Sequence, residues 1–135
     1  MANKYVVDTH ALIWYLEGNS KLGKAAESVL SNPSADLILP TIALAEAIDI
    51  VAKGRTKLPN VTSLLNDVLG DKRIELLPLT LAVLQQSLTA VAVPEMHDRL
   101  IVASAMWLES LGHQVALLTK DQSINDAALT PIIWQ

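Results

Sequence analysis

Short apolar runs at residues 5–7, 37–39, 74–77, 115–118 and 132–134 alternate with longer stretches of helical pattern, and this rhythm restricts the fold more than any other feature of the chain. Strand, helix and strand in regular succession build a mostly parallel sheet covered by helices on both faces, a three-layer α/β/α arrangement. The helical patterns fall near residues 11–16, 24–30, 42–53, 62–69, 81–90 and 98–110, with a short helix expected after Asp121. Gly18, Gly54, Gly70 and Gly112 stand at helix ends, where a C-terminal cap favours glycine. No repeat, low-complexity tract or Gly/Ser linker divides the chain, and 135 residues suit one core, so a single domain over residues 1–135 is expected.

Composition narrows the class. Apolar residues make up 51% of the chain and charged ones 18%, which argues against disorder. No apolar run approaches the roughly 18 residues of a membrane span. Met1-Ala2-Asn3-Lys4 leads directly into strand-like sequence rather than a signal-peptide core, so a soluble, cytoplasmic protein with no membrane partner is expected. The absence of cysteine removes disulfides, thiolate zinc sites and cysteine nucleophiles, and leaves any metal to oxygen ligands. Ten Lys and Arg against fourteen Asp and Glu give a net charge of −4, which is not the usual signature of a nucleic-acid binder. Divalent cations bound to clustered acids would reverse the local field, however, so phosphate ligands are not excluded.

Four acids sit at the edges of apolar segments. Asp8 closes the first strand, Glu46 lies within the apolar helix at 42–53, Asp98 opens the helix at 98–110, and Asp121 follows the fourth strand. In parallel α/β sheets ligands bind beyond the carboxyl ends of the strands, where Asp8 and Asp121 fall. Converging carboxylates repel unless protons or cations neutralise them, so a carboxylate cage for a divalent metal is the expectation. Asp8, Asp98 and Asp121 also suit helix N-caps. Glu46 has no cation three or four positions away and is preferred over Asp49, which faces Lys53. Asp126 is a lesser ligand candidate, with a turn or cap role preferred. The loop Lys53-Gly54-Arg55-Thr56-Lys57-Leu58-Pro59 offers Arg55 and Lys57 as candidate phosphate contacts, with a solvated helix exit as the equal alternative. His10 and His97 flank proposed acids, but neither is assigned a catalytic role. Trp14 and Tyr15 suit core or dimer contacts as well as base stacking.

Val7-Asp8-Thr9-His10-Ala11-Leu12-Ile13-Trp14, then Glu46 with Gly54-Arg55 after it, then His97-Asp98-Arg99-Leu100-Ile101-Val102-Ala103-Ser104-Ala105, then Leu117-Leu118-Thr119-Lys120-Asp121 follow one another along the chain. In these blocks and their order, over essentially its whole length, the chain resembles the PIN domain, and within it the toxin nucleases called VapC. The resemblance implies a five-stranded parallel sheet in the order 3-2-1-4-5. It implies a metal-dependent endoribonuclease using Mg²⁺ or Mn²⁺, with Asp8, Glu46, Asp98 and Asp121 as its acids and Thr119 and Thr9 as supporting hydroxyls. An RNA substrate, a homodimer and a restraining antitoxin protein are implied in the same way. Two positions depart from the family pattern: Glu95-Met96-His97 replaces the Asp-Pro-Phe often found before the third acid, and no aromatic stands beside Glu46.

Other classes fit less well. No Gly-x-Ser-x-Gly elbow or Gly-rich loop ending in Gly-Lys-Ser/Thr is present. A receiver-type phosphoacceptor needs paired acids after the first strand, where Asp8 stands alone, and a phosphatase with an Asp nucleophile needs an acid where His10 stands. The alternative that keeps the fold is a non-catalytic PIN-like module binding RNA or protein.

Overall fold

The computed structural model describes residues 2–135. Its elements are, in order, β1 (Lys4–Val7), α1 (Thr9–Glu17), α2 (Lys24–Ser31), β2 (Leu37–Pro40), α3 (Thr41–Ala52), α4 (Val61–Gly70), β3 (Ile74–Leu77), α5 (Leu81–Ser87), α6 (Met96–Ser110), β4 (Val115–Leu118), α7 (Gln122–Ala127) and β5 (Ile132–Ile133). The strands form one parallel sheet in the order β3-β2-β1-β4-β5, the order expected. β2 and β4 are buried along their whole length, as strands covered on both faces must be, which is why they read as unbroken apolar runs. Val6, Ile38, Leu39, Leu117 and Leu118 form the middle of the core, with Ala11, Ala43, Ala47, Ile101 and Ala105 packed against them from the helices. Among the described residues no helix is long and apolar enough to cross a membrane.

Local chemistry sets most boundaries. Gly18 ends α1 with φ 65°, a left-handed conformation that β-carbons disfavour, and its N–H returns to the carbonyls of Trp14 and Tyr15. Gly70 differs from expectation: it is the last helical residue of α4, and Asp71 takes the cap in an extended conformation. α5 ends at Ser87, three residues short of its expected end. There the N–H groups of Leu88, Thr89 and Ala90 bond three residues back rather than four, and the Thr89 hydroxyl bonds the Gln86 carbonyl, tightening the last turn.

Two ties join distant segments. The Arg73 guanidinium donates to the carbonyls of Leu30 (2.6 Å) and Asn32 (2.8 Å) while pairing with Asp71, so the exit of α2 is held to the start of β3. That hydrogen-bonded pairing with Arg73 holds the Asp71 carboxyl below its usual range. At the other edge, the chain after β5 crosses the N-terminus of α2, where the Trp134 carbonyl accepts the Ala26 N–H at 3.1 Å. The approach requires glycine at position 23, since a β-carbon there would lie 2.0 Å from the Trp134 oxygen.

Two stability tests follow from these ties. Arg73→Ala strands two carbonyls and a carboxylate and is expected to cost about 2 kcal/mol in urea unfolding at neutral pH. Because Asp71 has a depressed folded pKa, its share of that stabilisation is present above the unfolded value of about 3.9 and is lost as pH falls further, so the deficit of the variant narrows in acid. Gly23→Ala is expected to cost about 1–3 kcal/mol by overpacking and to expose the segment after β5 to limited proteolysis.

Candidate active site

The strand order reverses direction between β1 and β4, and this switch point opens a crevice at the carboxyl edge of the sheet. Val7 pairs with Leu118, so the next residues, Asp8 and Thr119, emerge side by side. The Thr119 hydroxyl donates to Asp8 Oδ2 at 2.5 Å and accepts the Asp121 N–H at 3.1 Å. Asp8 Oδ1 accepts the Thr9 N–H at 2.7 Å, capping α1. Thr9 is fully buried, and its hydroxyl donates to Glu46 Oε1 at 2.6 Å, fixing a side chain that comes from α3. Asp121 Oδ1 accepts from the Ser123 hydroxyl (2.6 Å) and the Ile124 N–H (3.0 Å), capping α7. The capping roles expected of Asp8 and Asp121 are therefore real, and both residues still face the crevice.

Asp98 is not an N-cap. α6 starts at Met96, two residues earlier than expected, because Glu95 caps it by accepting the Asp98 N–H at 2.8 Å. Glu95 also accepts from His97 Nδ1 at 2.7 Å, a bond that raises the His97 pKa. Partial burial tends to raise the Glu95 pKa, but the bonds from Asp98 and His97 outweigh it and lower the value.

A cavity of about 530 Å³ brings the four predicted acids together: Asp8, Glu46, Asp98 and Asp121 line it, with Glu95, His10, Trp14 and Lys120. Glu95, Lys120 and Trp14 were not assigned to the site from sequence. Glu95 had one usable signal, its position three residues before Asp98 at a helix start. Among the described residues Arg55 and Lys57 do not line this cavity, and the Lys57 N–H bonds Glu17 Oε2 instead. Asp49 pairs with Lys53 at 2.8 Å on the surface, as expected; Asp126, expected in a turn or cap, lies within α7 and accepts from Gln122 one turn earlier.

Electrostatic strain concentrates on two acids. Burial raises the Asp8 carboxyl above its usual range despite the bonds from Thr119 and Thr9, and Glu46 adds repulsion. Asp98 is pushed up to about 7, first by burial and then by Asp121, Asp8, Glu95 and Glu46. Among the described residues no three acidic or imidazole groups stand close enough to enclose one ion, so the carboxylates share a cavity without forming a closed cage. All are oxygen donors that repel one another, the donor chemistry that suits a hard divalent cation.

Solved structures share the fold. A chain of the VapBC2 complex from Rickettsia felis, bound to a DNA fragment from its promoter, superposes with a TM-score of 0.70 at 16% identity, covering 98% of this chain and 99% of that one. A chain of FitAcB from Neisseria gonorrhoeae gives 0.66 at 18% identity, over 96% of each chain. A chain of DNA-bound VapBC from Salmonella typhimurium gives 0.65 at 17%, over 98% of each. No curated protein matches by sequence. A PIN domain model matches residues 5–129, nearly the whole length, and on that match the chain belongs to the PIN domain family.

Proposed function

We propose that the chain is a divalent-metal-dependent endoribonuclease, the toxin of a toxin–antitoxin pair. One observation carries this: four separate segments of a PIN-family chain deliver Asp8, Glu46, Asp98 and Asp121 to one cavity at the sheet's switch point. Asp8 and Asp98 are the principal candidate ligands for Mg²⁺ or Mn²⁺, and Asp121 completes the set or holds a second ion. Such a cation, when bound, supplies Lewis acidity to the phosphate and acidifies water at neutral pH. Thr119 fixes the rotamer of Asp8 and anchors the Asp121 backbone. Glu46, oriented by Thr9, is the candidate general base that holds the attacking water and takes its proton.

Restraint by an antitoxin is proposed because several chains of like fold belong to VapBC and FitAcB complexes. A homodimer is proposed with the exposed leucines Leu81, Leu84 and Leu88, three and four residues apart along α5 and its cap, as the candidate contact. Arg55 and Lys57 are proposed as outlying RNA phosphate contacts, and the cytoplasm as the compartment that holds the RNA. A PIN-fold module that binds RNA or protein without cutting is the alternative, and the open arrangement of the acids favours it.

Two experiments separate these. Purified protein should cut a panel of structured RNAs, transfer RNAs included, with Mg²⁺ or Mn²⁺. EDTA or Asp98→Asn should abolish cutting while the circular dichroism spectrum stays unchanged. Cutting by Asp98→Asn sinks the assignment, and a wild type that binds RNA without cutting it favours the module. The second experiment reads stability. The folded pKa of Asp98 lies above its unfolded value of about 3.9, so the folded state binds the proton more tightly. Without metal, stability at this position is therefore lost as pH rises from about 4 to about 7. Mn²⁺ should raise the Tm at pH 8 and do so far less at pH 5. Equal shifts at both pH values would contradict a carboxylate site.

A further inference from the structure

The hydrolytic reading leaves one wall of the cavity unused. Trp14, half-buried, lines it with the exposed side chains of His10 and Lys120. The imidazole of His10 lies 5.4 Å from the indole centroid at a 51° tilt. The Lys120 and Lys21 ammonium groups lie over the Trp14 ring at 5.5 and 5.9 Å, within cation–π range. Behind it, Trp134 meets the same indole edge-on at 6.0 Å. The Trp134 backbone is held in turn, since its carbonyl accepts the Ala26 N–H and Gly23 packs directly against it. The indole thus meets Trp134 and His10 while lining the cavity that the acids share.

An acidic floor beside an aromatic and cationic wall matches the parts of one nucleotide. The acids would hold a divalent cation that would supply charge for the phosphate, the ring wall would take the base, and the lysines would take neighbouring phosphates. Every nucleobase has a π-face, so such a wall is tolerant of sequence, and it requires a base free of its own stack. We infer that Trp14, with His10 beside it, is the stacking platform for an unpaired nucleobase next to the phosphate to be cut, and that Lys120 and Lys21 hold the adjoining backbone. Trp134 is a positioning residue that keeps the platform upright. This rests on RNA being the substrate. If Trp14 merely packs against the core and the lysines cover it, removing a base from the RNA has the same effect with or without the indole.

The test measures binding of end-labelled single-stranded RNA 12-mers by anisotropy, in an Asp98→Asn background to prevent cutting. One abasic residue is moved along the oligonucleotide. Trp14→Leu keeps apolar bulk and removes the π-face, and should weaken binding about tenfold. Trp14→Phe should restore most of the loss. One abasic position should weaken the parent about tenfold and have no further effect in Trp14→Leu. Should Trp14→Leu fail to fold, Lys120→Gln alters only an exposed side chain and should lower the slope of log affinity against log salt by about 0.7. Identical abasic profiles in parent and Trp14→Leu, an unchanged salt slope, or no RNA binding at all would overturn the inference. Cleavage by the wild type is read separately: cutting without Trp14-dependent base sensitivity removes the platform and keeps the nuclease, and the converse removes the nuclease and keeps the platform.

Discussion

A single hydroxyl joins the two central strands at their exits. The Thr119 hydroxyl donates a hydrogen bond to Asp8 and accepts one from the Asp121 N–H, so one buried side chain sets the rotamer of the first acid and the position of the last. It can do so only because β1 and β4 pair in parallel with Val7 opposite Leu118. A slip of one residue would put the Asp8 carboxylate and the Thr119 hydroxyl on opposite faces of the sheet. The sheet register is therefore the primary constraint, and the geometry of the crevice is derived from it. Thr9 repeats the device one residue later, by reaching from the start of α1 to Glu46 on α3. Two buried threonines thus orient two carboxylates without placing any cation in the core.

Much of this was legible in the chain because the relevant signals are local. Strands covered on both faces must be apolar throughout, and β2 and β4 stood out for that reason. The positions of Asp8 and Asp121 followed from the rule that side chains leave the core at strand ends. Less visible were features that depend on what the chain meets elsewhere. Gly70 has the composition of a cap and not the conformation of one, because the chain leaves α4 extended to enter the Asp71–Arg73 tie. Glu95 reads as a surface acid until its carboxylate is seen bonded to the Asp98 N–H, which moves the start of α6 back two residues. Trp14 sits in an apolar run that suits the core, and the ring it meets edge-on, Trp134, lies 120 positions away in the sequence.

The crevice is costly by design. Glu95 joins the four expected acids, so five carboxylates share it with one lysine and one histidine, and the resulting strain falls on Asp8 and Asp98. A fold optimised for stability alone would neutralise them, as Asp71 is neutralised by Arg73 on the opposite side of the molecule. The contrast between a paired acid and an unpaired cluster in one small chain is the contrast that the proposed site accounts for. The departure at Glu95-Met96-His97 softens the exchange, since the bond between Glu95 and His97 diverts one of these charges toward an imidazole.

The bond between Thr119 and Asp8 also spans 111 residues. Closing so long a loop is entropically slow, and the pairing of β1 with β4 belongs among the later events of folding. Until β4 docks, Asp8 has no hydroxyl to fix it and the Asp121 amide has no anchor. A chain with every helix formed but β4 still loose would possess all four acids and no crevice. Assembly of the crevice is thereby tied to a late long-range step, and a half-folded molecule lacks it.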